Sequence, residues 1–379
     1  MAADQELSLA HHFADLTDPR IDRSRLHELL DIVAIAICAV VAGAESWDDI
    51  EDFGNVKRDW LKTFLDLPNG IPSHDTFRRL FERLDPGEFQ KGFLSWVEAL
   101  HEATERQVIA IDGKTLRRSF DRAKGQSALH LVHAWATANH VLLGQVAVDE
   151  KSNEITAIPK LLKMLSITGA IVTIDAMGCQ KEIARTIRGR KADYLLALKG
   201  NHEHLFEQVV AFFDGACAHG RKGGGIRYHR EWSEGHGRDE CRRCWATSDR
   251  SWLEGREEWA DLRSVVLIES ERFVGDTLAV EERYYLSSLP SDAELLNHAA
   301  RSHWGVENSL HWVLDVTFHE DASRIKKENA PENFGLLRRL ALCLLKKETS
   351  SKRSIRGKRL RASWDDAYLL QVMCGSAGK

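Results

Sequence analysis

Two apolar runs, Val108-Ile109-Ala110-Ile111 and Ile171-Val172-Thr173-Ile174, each end in an aspartate followed by a small residue: Asp112-Gly113 and Asp175-Ala176. Uninterrupted apolar runs of this length read as strands buried on both faces of a parallel sheet. Ligands of open α/β sheets bind at the carboxyl ends of the strands, so both carboxylates are expected at one crevice. If the two strands are neighbours they lie about 4.8 Å apart, close enough for the acids to share a metal ion. A strand-terminal Asp also caps turns, so the pair alone leaves the chemistry open.

A third acid narrows it. Between Asp292 and Leu314, the residues Leu296, Ala300, His303, Glu307, Leu310 and Leu314 recur at three- and four-residue spacing, the period of one helix face. The pattern predicts that Glu307 lies in the stripe turned to the sheet, where a carboxylate is costly unless it is paired or binds a metal. His303 and His311 sit one turn before and one turn after it. They could position phosphate, or they could be core histidines that hold Glu307 by hydrogen bonds. Three carboxylates suit a hard, oxygen-seeking cation, Mg²⁺ or Mn²⁺. Two such ions, about 4 Å apart, support in-line displacement at phosphorus. Lys114, Arg117, Arg118 and Lys199 fall just beyond the strand ends, where positive charge would meet a DNA backbone. Asn201 and His202 share the loop of Lys199 and are counted with them.

The elements that must position these residues follow from periodicity. Residues up to about 100 read as helical. Pro72-Ser73 predicts a helix N-cap ahead of Phe77, Leu80, Phe81 and Leu84, which form one apolar face. Arg78, Arg79 and Arg83 fall off that face, so the helix is either an ordinary surface helix or one that lies against DNA. Strands are expected over 108–111, 129–137 and 141–148, with a tight turn at Ala138-Asn139-His140. A helix over 157–167, a strand over 171–174, a helix over 180–188 and a strand over 194–198 complete a β-β-β-α-β-α-β order. From about 215 to 288 the rhythm changes to Gly-rich, Trp-rich and alternating stretches, read as an inserted strand-rich subdomain. Helix returns over 292–314 and 334–345. The expected organisation is therefore α/β: a helical N-terminal domain (1–100), a catalytic domain (101–345) and a basic C-terminal tail (346–379).

Composition sets the limits. With 43% apolar and 29% charged residues, the 379-residue chain is far from the disordered or fibrous extremes. Its longest apolar stretch, Ile32 to Ala42, is 11 residues, well short of the roughly 20 that cross a bilayer, and reads as a buried helix. The N-terminus lacks the basic start and apolar centre of a secretory signal, so a cytoplasmic protein, associated with the nucleoid when bound to DNA, is expected. A net charge of −5 argues against a nucleic-acid partner until its distribution is considered. Between Lys346 and Arg361 eight basic residues face one acid, Glu348, either a solvated run or a DNA contact. Cys241-Arg-Arg-Cys244 has zinc-ligand spacing but no second pair to complete a site.

The stretches Ile109-Ala-Ile-Asp-Gly-Lys-Thr-Leu-Arg-Arg-Ser119, Thr173-Ile-Asp-Ala-Met-Gly-Cys-Gln180, Leu198-Lys-Gly-Asn-His202 and His303-Trp-Gly-Val-Glu-Asn-Ser-Leu-His-Trp-Val-Leu-Asp315 resemble the DDE transposases of bacterial insertion sequences, specifically the H-repeat-associated group. The resemblance extends over nearly the whole chain. It implies a ribonuclease H-like catalytic core with Asp112, Asp175 and Glu307 as its acids, and a β-rich insertion before the Glu-bearing helix. It also implies cleavage at element ends by water, followed by attack of the freed 3′-hydroxyl on target DNA. Related enzymes carry a Tyr, an Arg and a Lys around the Glu; Ala300, His303 and Leu314 stand at those places here. Arg301, His303, Asn308 and His311 are the candidates to replace them. Synapsis of two DNA ends implies a homodimer or larger assembly.

Two other readings compete. One is a catalytically inactive or domesticated DNA-binding protein of the same fold, against which all three acids speak. The other is a phosphatase with Asp112 as covalent nucleophile, which would want a second acid where Lys114 stands.

Overall fold

A computed structural model describes residues 9–100, 107–120, 127–138, 141–148, 153–218, 225–235, 238–274 and 277–374. The N-terminal helices are α1 (Leu29–Ala42), α2 (Trp47–Val56), α3 (His74–Arg83) and α4 (Pro86–Leu100), one-turn helices aside. Ile32 to Val41 of α1 are almost all buried, as the apolar run predicts. Taken by itself, no helix among the described residues is long and apolar enough to cross a membrane. On α3, Phe77, Leu80, Phe81 and Leu84 are all fully buried. Ser73 stands at its N-cap but makes no capping bond; its hydroxyl instead lies 3.2 Å from that of Thr76.

The sheet forms in the expected order. β1 (Val108–Thr115), β2 (His130–Ala136) and β3 (Val141–Ala147) make an antiparallel meander. α5 (Glu154–Met164) crosses to β4 (Ile171–Ile174), and α6 (Lys181–Gly189) to β5 (Asp193–Leu198), both strands running parallel with β1. α5 begins three residues earlier than the apolar period suggests. Residues 139 and 140 of the predicted turn lie outside the described residues, as do Gly223 and Gly224.

After α7 (Glu203–Ala218) come β6 (Ile226–Gly235), β7 (Arg238–Thr247), β8 (Ser264–Val274) and β9 (Thr277–Ser287). These four strands do not make a sheet of their own. β9 pairs antiparallel with β5, so a single nine-stranded sheet runs in the order β3-β2-β1-β4-β5-β9-β8-β7-β6. The fold is mixed α/β. Cys241 and Cys244 are both buried in β7. Three residues apart on a strand, they point to opposite faces and cannot close on one zinc ion.

Alternation along β1 divides the core. Ile109 and Ile111 face α5, α6 and α7, while Val108 packs on the other side against Leu296, Ala299 and Ala300 of α8 (Ala293–Val306). Ala110 on that same side joins a cluster that contains the N-terminal helices, α9 (Trp312–Thr317) and α10 (Ala330–Lys347). The basic segment is not a free tail, since it folds as α11 (Ile355–Trp364) and α12 (Asp366–Cys374) against this cluster. The Lys358 ammonium donates to the carbonyls of Leu345 and Glu348, and the Arg359 guanidinium to that of Val40.

α10 is tied to the sheet by buried charge. Arg339, fully buried, donates to Glu320 at 2.7 Å and to His133 Nε2 at 2.9 Å. Lys114 Nζ approaches Glu320 from β1 at 3.2 Å. Burial alone would raise the Glu320 carboxyl, but Arg339, Lys114 and Arg338 overcome it and hold it at about 2. Removing one partner of such a pair leaves a buried charge uncompensated. Arg339→Met, which keeps most of the volume, is expected to destabilise the protein by about 3–5 kcal/mol in a urea titration. A loss below about 1 kcal/mol would mean that Lys114 alone balances Glu320.

Candidate metal centre

The last paired residues of β1 and β4 are Ile111 and Ile174, so Asp112 and Asp175 are the next positions on adjacent strands. Asp112 Oδ1 accepts from the amide of Gly113 at 2.9 Å. Asp175 Oδ1 accepts from Met177 at 3.1 Å and Gly178 at 3.3 Å, so it also caps its own turn. Burial raises the Asp112 carboxyl to about 7, with further upward pushes from the charges of Asp175, Glu154 and Glu307. Asp175 is raised as well, first by burial and then by Glu154, with Lys199 acting in the opposite direction. Each acid is thus held where its negative charge is unfavourable.

Glu307 arrives differently from the prediction. α8 ends at Val306, and Glu307–His311 form one π-helical turn before α9 continues the helix. The wider turn breaks the 3.6-residue period. Leu296, Ala300, Leu310 and Leu314 remain buried, while the Glu307 side chain is 66% exposed at the rim. Its carboxylate nonetheless meets Asp112. One ligand atom from each of Asp112, Glu307 and His311 lies within 4.8 Å of the others. His311 Nδ1 is 3.6 Å from Asp112 and 3.5 Å from Glu307. Asp175, one strand over, is outside this tight group.

His311 is almost wholly enclosed, its ring 5.7 Å from that of His133 and its Nε2 without a hydrogen-bond partner. Burial, helped by Lys114 and Arg339, lowers it to about 3. His303 is lowered to about 4, chiefly by burial, and its Nδ1 lies 3.1 Å from the Thr173 hydroxyl. Both rings are therefore neutral near pH 7. A neutral imidazole beside two carboxylates supplies a lone pair but no balancing charge.

The basic residues predicted around the acids divide. Lys114 is within β1 and only 8% exposed, its ammonium 2.5 Å from Asp315 and 3.2 Å from Glu320. Its charge is committed to the interior. Arg117 is exposed and pairs with Asp321 at 3.2 Å; Arg118, Lys199 and Asn308 are exposed too. Asn201 donates to the Ala176 carbonyl at 2.6 Å, and a ring nitrogen of His202 lies 2.6 Å from that of Cys179, so both brace the loop after Asp175. Arg301 pairs with Glu231 at 2.6 Å. On α3, distant in the sequence, Arg78 pairs with Asp75 and Glu82, Arg79 lies 3.5 Å from Asp75, and Arg83 is exposed.

A cleft of about 410 Å³ opens beside Asp175, lined among others by Thr173, Lys199, Arg283, His303 and Trp304. The Arg283 guanidinium lies 3.7 Å over the Trp304 ring. Trp304 and Trp312, on either side of the π turn, are large exposed aromatics that periodicity did not single out. Glu154 was missed as well, because it precedes the first apolar position of α5. Asn153-Glu154, an N-cap residue followed by an acid, was the available signal.

The donor set fits a hard divalent cation. Asp112, Asp175 and Glu307 offer carboxylate oxygens, with His311 Nδ1 adjoining, and the strongest electrostatic influences on Asp112 are all negative.

Residues 103–344 match the family described as Transposase DDE domain, and residues 10–97 match DDE_Tnp_1-associated. The protein named "Putative transposase YncI" of Escherichia coli O157:H7 is 40% identical over 98% of this chain and 96% of its own length. "H repeat-associated putative transposase YhhI" of Escherichia coli strain K12 is 39% identical over 97% of this chain and 98% of its own. A shorter relative, "Inactive transposase YbfQ" of the same strain, is 47% identical over 72 residues, 86% of its length. With matches that span both the helical N-terminal region and the sheet that carries the acids, the chain belongs to the DDE transposase family, beside the H repeat-associated proteins.

Proposed function

We propose that the protein cleaves DNA strands at element ends and joins them to target DNA, on a ribonuclease H-like core, with Mg²⁺ or Mn²⁺ held by Asp112, Asp175 and Glu307. The observation that carries this reading is the meeting of Asp112 with Glu307 and His311 beside Asp175, from segments up to about 195 residues apart in the chain. Bound cations would activate the attacking oxygen and stabilise the leaving one at phosphorus. Asp112, shared between the strand neighbour Asp175 and the helix partner Glu307, is the natural bridging carboxylate. His311, neutral and enclosed, orients Glu307 toward Asp112. Arg117, Arg118, Lys199 and Asn308, exposed around the acids, are placed to meet the DNA backbone. Arg83 and Arg79 on α3 offer a second, remote contact. Two protomers acting on two ends give a symmetric dimer or larger complex.

The phosphatase reading has no support in the site, because Lys114 is turned inward to Glu320 and Asp315. The reading as an inactive DNA-binding protein is separated by experiment. Asp112→Asn is expected to slow divalent-cation-dependent cleavage of end-containing DNA by about a thousandfold or more, since several kcal/mol of charge stabilisation depend on that carboxylate. DNA binding in a mobility-shift assay should persist. Cleavage that survives the substitution, or that proceeds equally in EDTA, would refute the proposal.

Cation binding should also depend on pH in a definite direction. Asp112 holds its proton up to about 7 without a cation, and a protonated carboxyl must release it before it can ligate. Mn²⁺ affinity is therefore expected to rise by up to about tenfold per unit between pH 5.5 and 7 and to level off above. Isothermal titration in two buffers of different ionisation enthalpy would reveal the released proton. An affinity flat across that range would show that Asp112 does not ligate.

A further inference from the structure

One acid beside the site is absent from every role so far. Glu154 is the first residue of α5, on the opposite side of β1 from Glu307, and its side chain is only 14% exposed. A Cβ placed on Gly113 would stand 2.1 Å from Glu154 Oε1 and 2.7 Å from His130 Nε2. The carboxylate and the imidazole therefore occupy the space that a side chain after Asp112 would fill. Glycine at 113 is what lets an acid from α5 reach the tip of β1. Its charge acts on both aspartates, and on Asp175 it is the foremost charge of all.

The hydrogen bonding leaves this carboxylate half used. Glu154 Oε1 lies 2.7 Å from His130 Nε2, and His130 Nδ1 lies 2.7 Å from the Thr115 hydroxyl. An ionised carboxylate can only accept, so Nε2 carries the proton and Nδ1 accepts from Thr115. The arrangement fixes the ring and, through it, one oxygen of Glu154. The other oxygen has no hydrogen-bond partner among the described residues. A second, independent sign that a ligand belongs here is His311. Its side chain is 6% exposed, its Nε2 is unpartnered, and its Nδ1 is aimed between Asp112 and Glu307 at distances too long for good hydrogen bonds.

We propose that Glu154 is a fourth carboxylate of the cation site, on its Asp112 and Asp175 side, positioned by His130 and admitted by Gly113. Glu307 and His311 then serve the site from the helix side of Asp112, and Glu154 serves it from the α5 side. The inference rests on the cation-binding reading above, and the experiment keeps the two apart.

Mn²⁺ binding to the full-length protein, followed by electron paramagnetic resonance of the free ion, needs no DNA and no turnover. Wild type should bind Mn²⁺, and Asp112→Asn should abolish it. Glu154→Gln, which keeps the shape and a contact to His130, should weaken binding by at least about tenfold or remove one bound ion, with its melting temperature within a few degrees of wild type. His130→Gln should weaken it by a smaller factor. If Glu154→Gln binds Mn²⁺ as wild type does while Asp112→Asn does not, this inference fails and the cation site stands. If wild type binds no Mn²⁺ at all, both fail. Should Glu154→Gln prove unfolded, Glu154→Asp decides, because it keeps the charge but withdraws it by one methylene. Affinity equal to wild type in that variant overturns the proposal.

Discussion

The pairing of β1 with β4 brings two carboxylates into register at the tips of neighbouring strands, in a place where burial disfavours both charges. Everything around the site responds to that constraint. Asp175 relieves part of its charge by accepting two backbone amides in its own turn, whereas Asp112 accepts only one. Glu307 and Glu154 then add negative charge instead of relieving it. A fold does not usually collect acids at one point without a compensating partner, because each like charge disfavours the ionised state of the others.

The groups behind Asp112 explain why protein cations do not supply that compensation. His133 is opposite Asp112 in the β1–β2 register and receives a hydrogen bond from Arg339. Arg339 is in turn consumed by Glu320, and Lys114 by Glu320 and Asp315. The interior positive charges thus close on interior carboxylates and stiffen the wall, leaving the tip of β1 negative. A π turn often marks a functional site, since it is less favourable than a regular turn and survives where it positions a residue. Here it carries Glu307 to the rim and His311 to the inside within five residues.

Much of this was legible in the sequence, and the misses have identifiable causes. Strand tips ending in Ile-Asp-small were visible because a parallel strand buried on both faces leaves a continuous apolar signature. Glu307 was found by helical period, but that period assumes 3.6 residues per turn, and the π turn moved the carboxylate from the stripe to the rim while leaving Leu310 and Leu314 inside. Lys114 looked like a DNA contact because alternation along β1 says which face a residue takes, not which buried acid awaits it there. The run from Lys346 to Arg361 read as a tail by charge alone, although Lys358 and Arg359 bury their stems and give their donors to backbone carbonyls. The strands after residue 225 read as an insertion, and only the long-range pairing of β9 with β5 makes them part of the main sheet.

Neutral histidines complete the electrostatic account. A protonated His311 would balance one of the acids without any metal, but its enclosure against His133, with Lys114 and Arg339 nearby, keeps it uncharged down to about 3. The wall that stiffens the site is therefore also what prevents it from neutralising itself. A divalent cation meets the unfavourable charge that the fold has gathered and takes the lone pair that His311 presents. Substitutions that loosen the wall, such as at Arg339, should then act on cation binding indirectly, by letting the imidazole take up a proton and compete for the carboxylates.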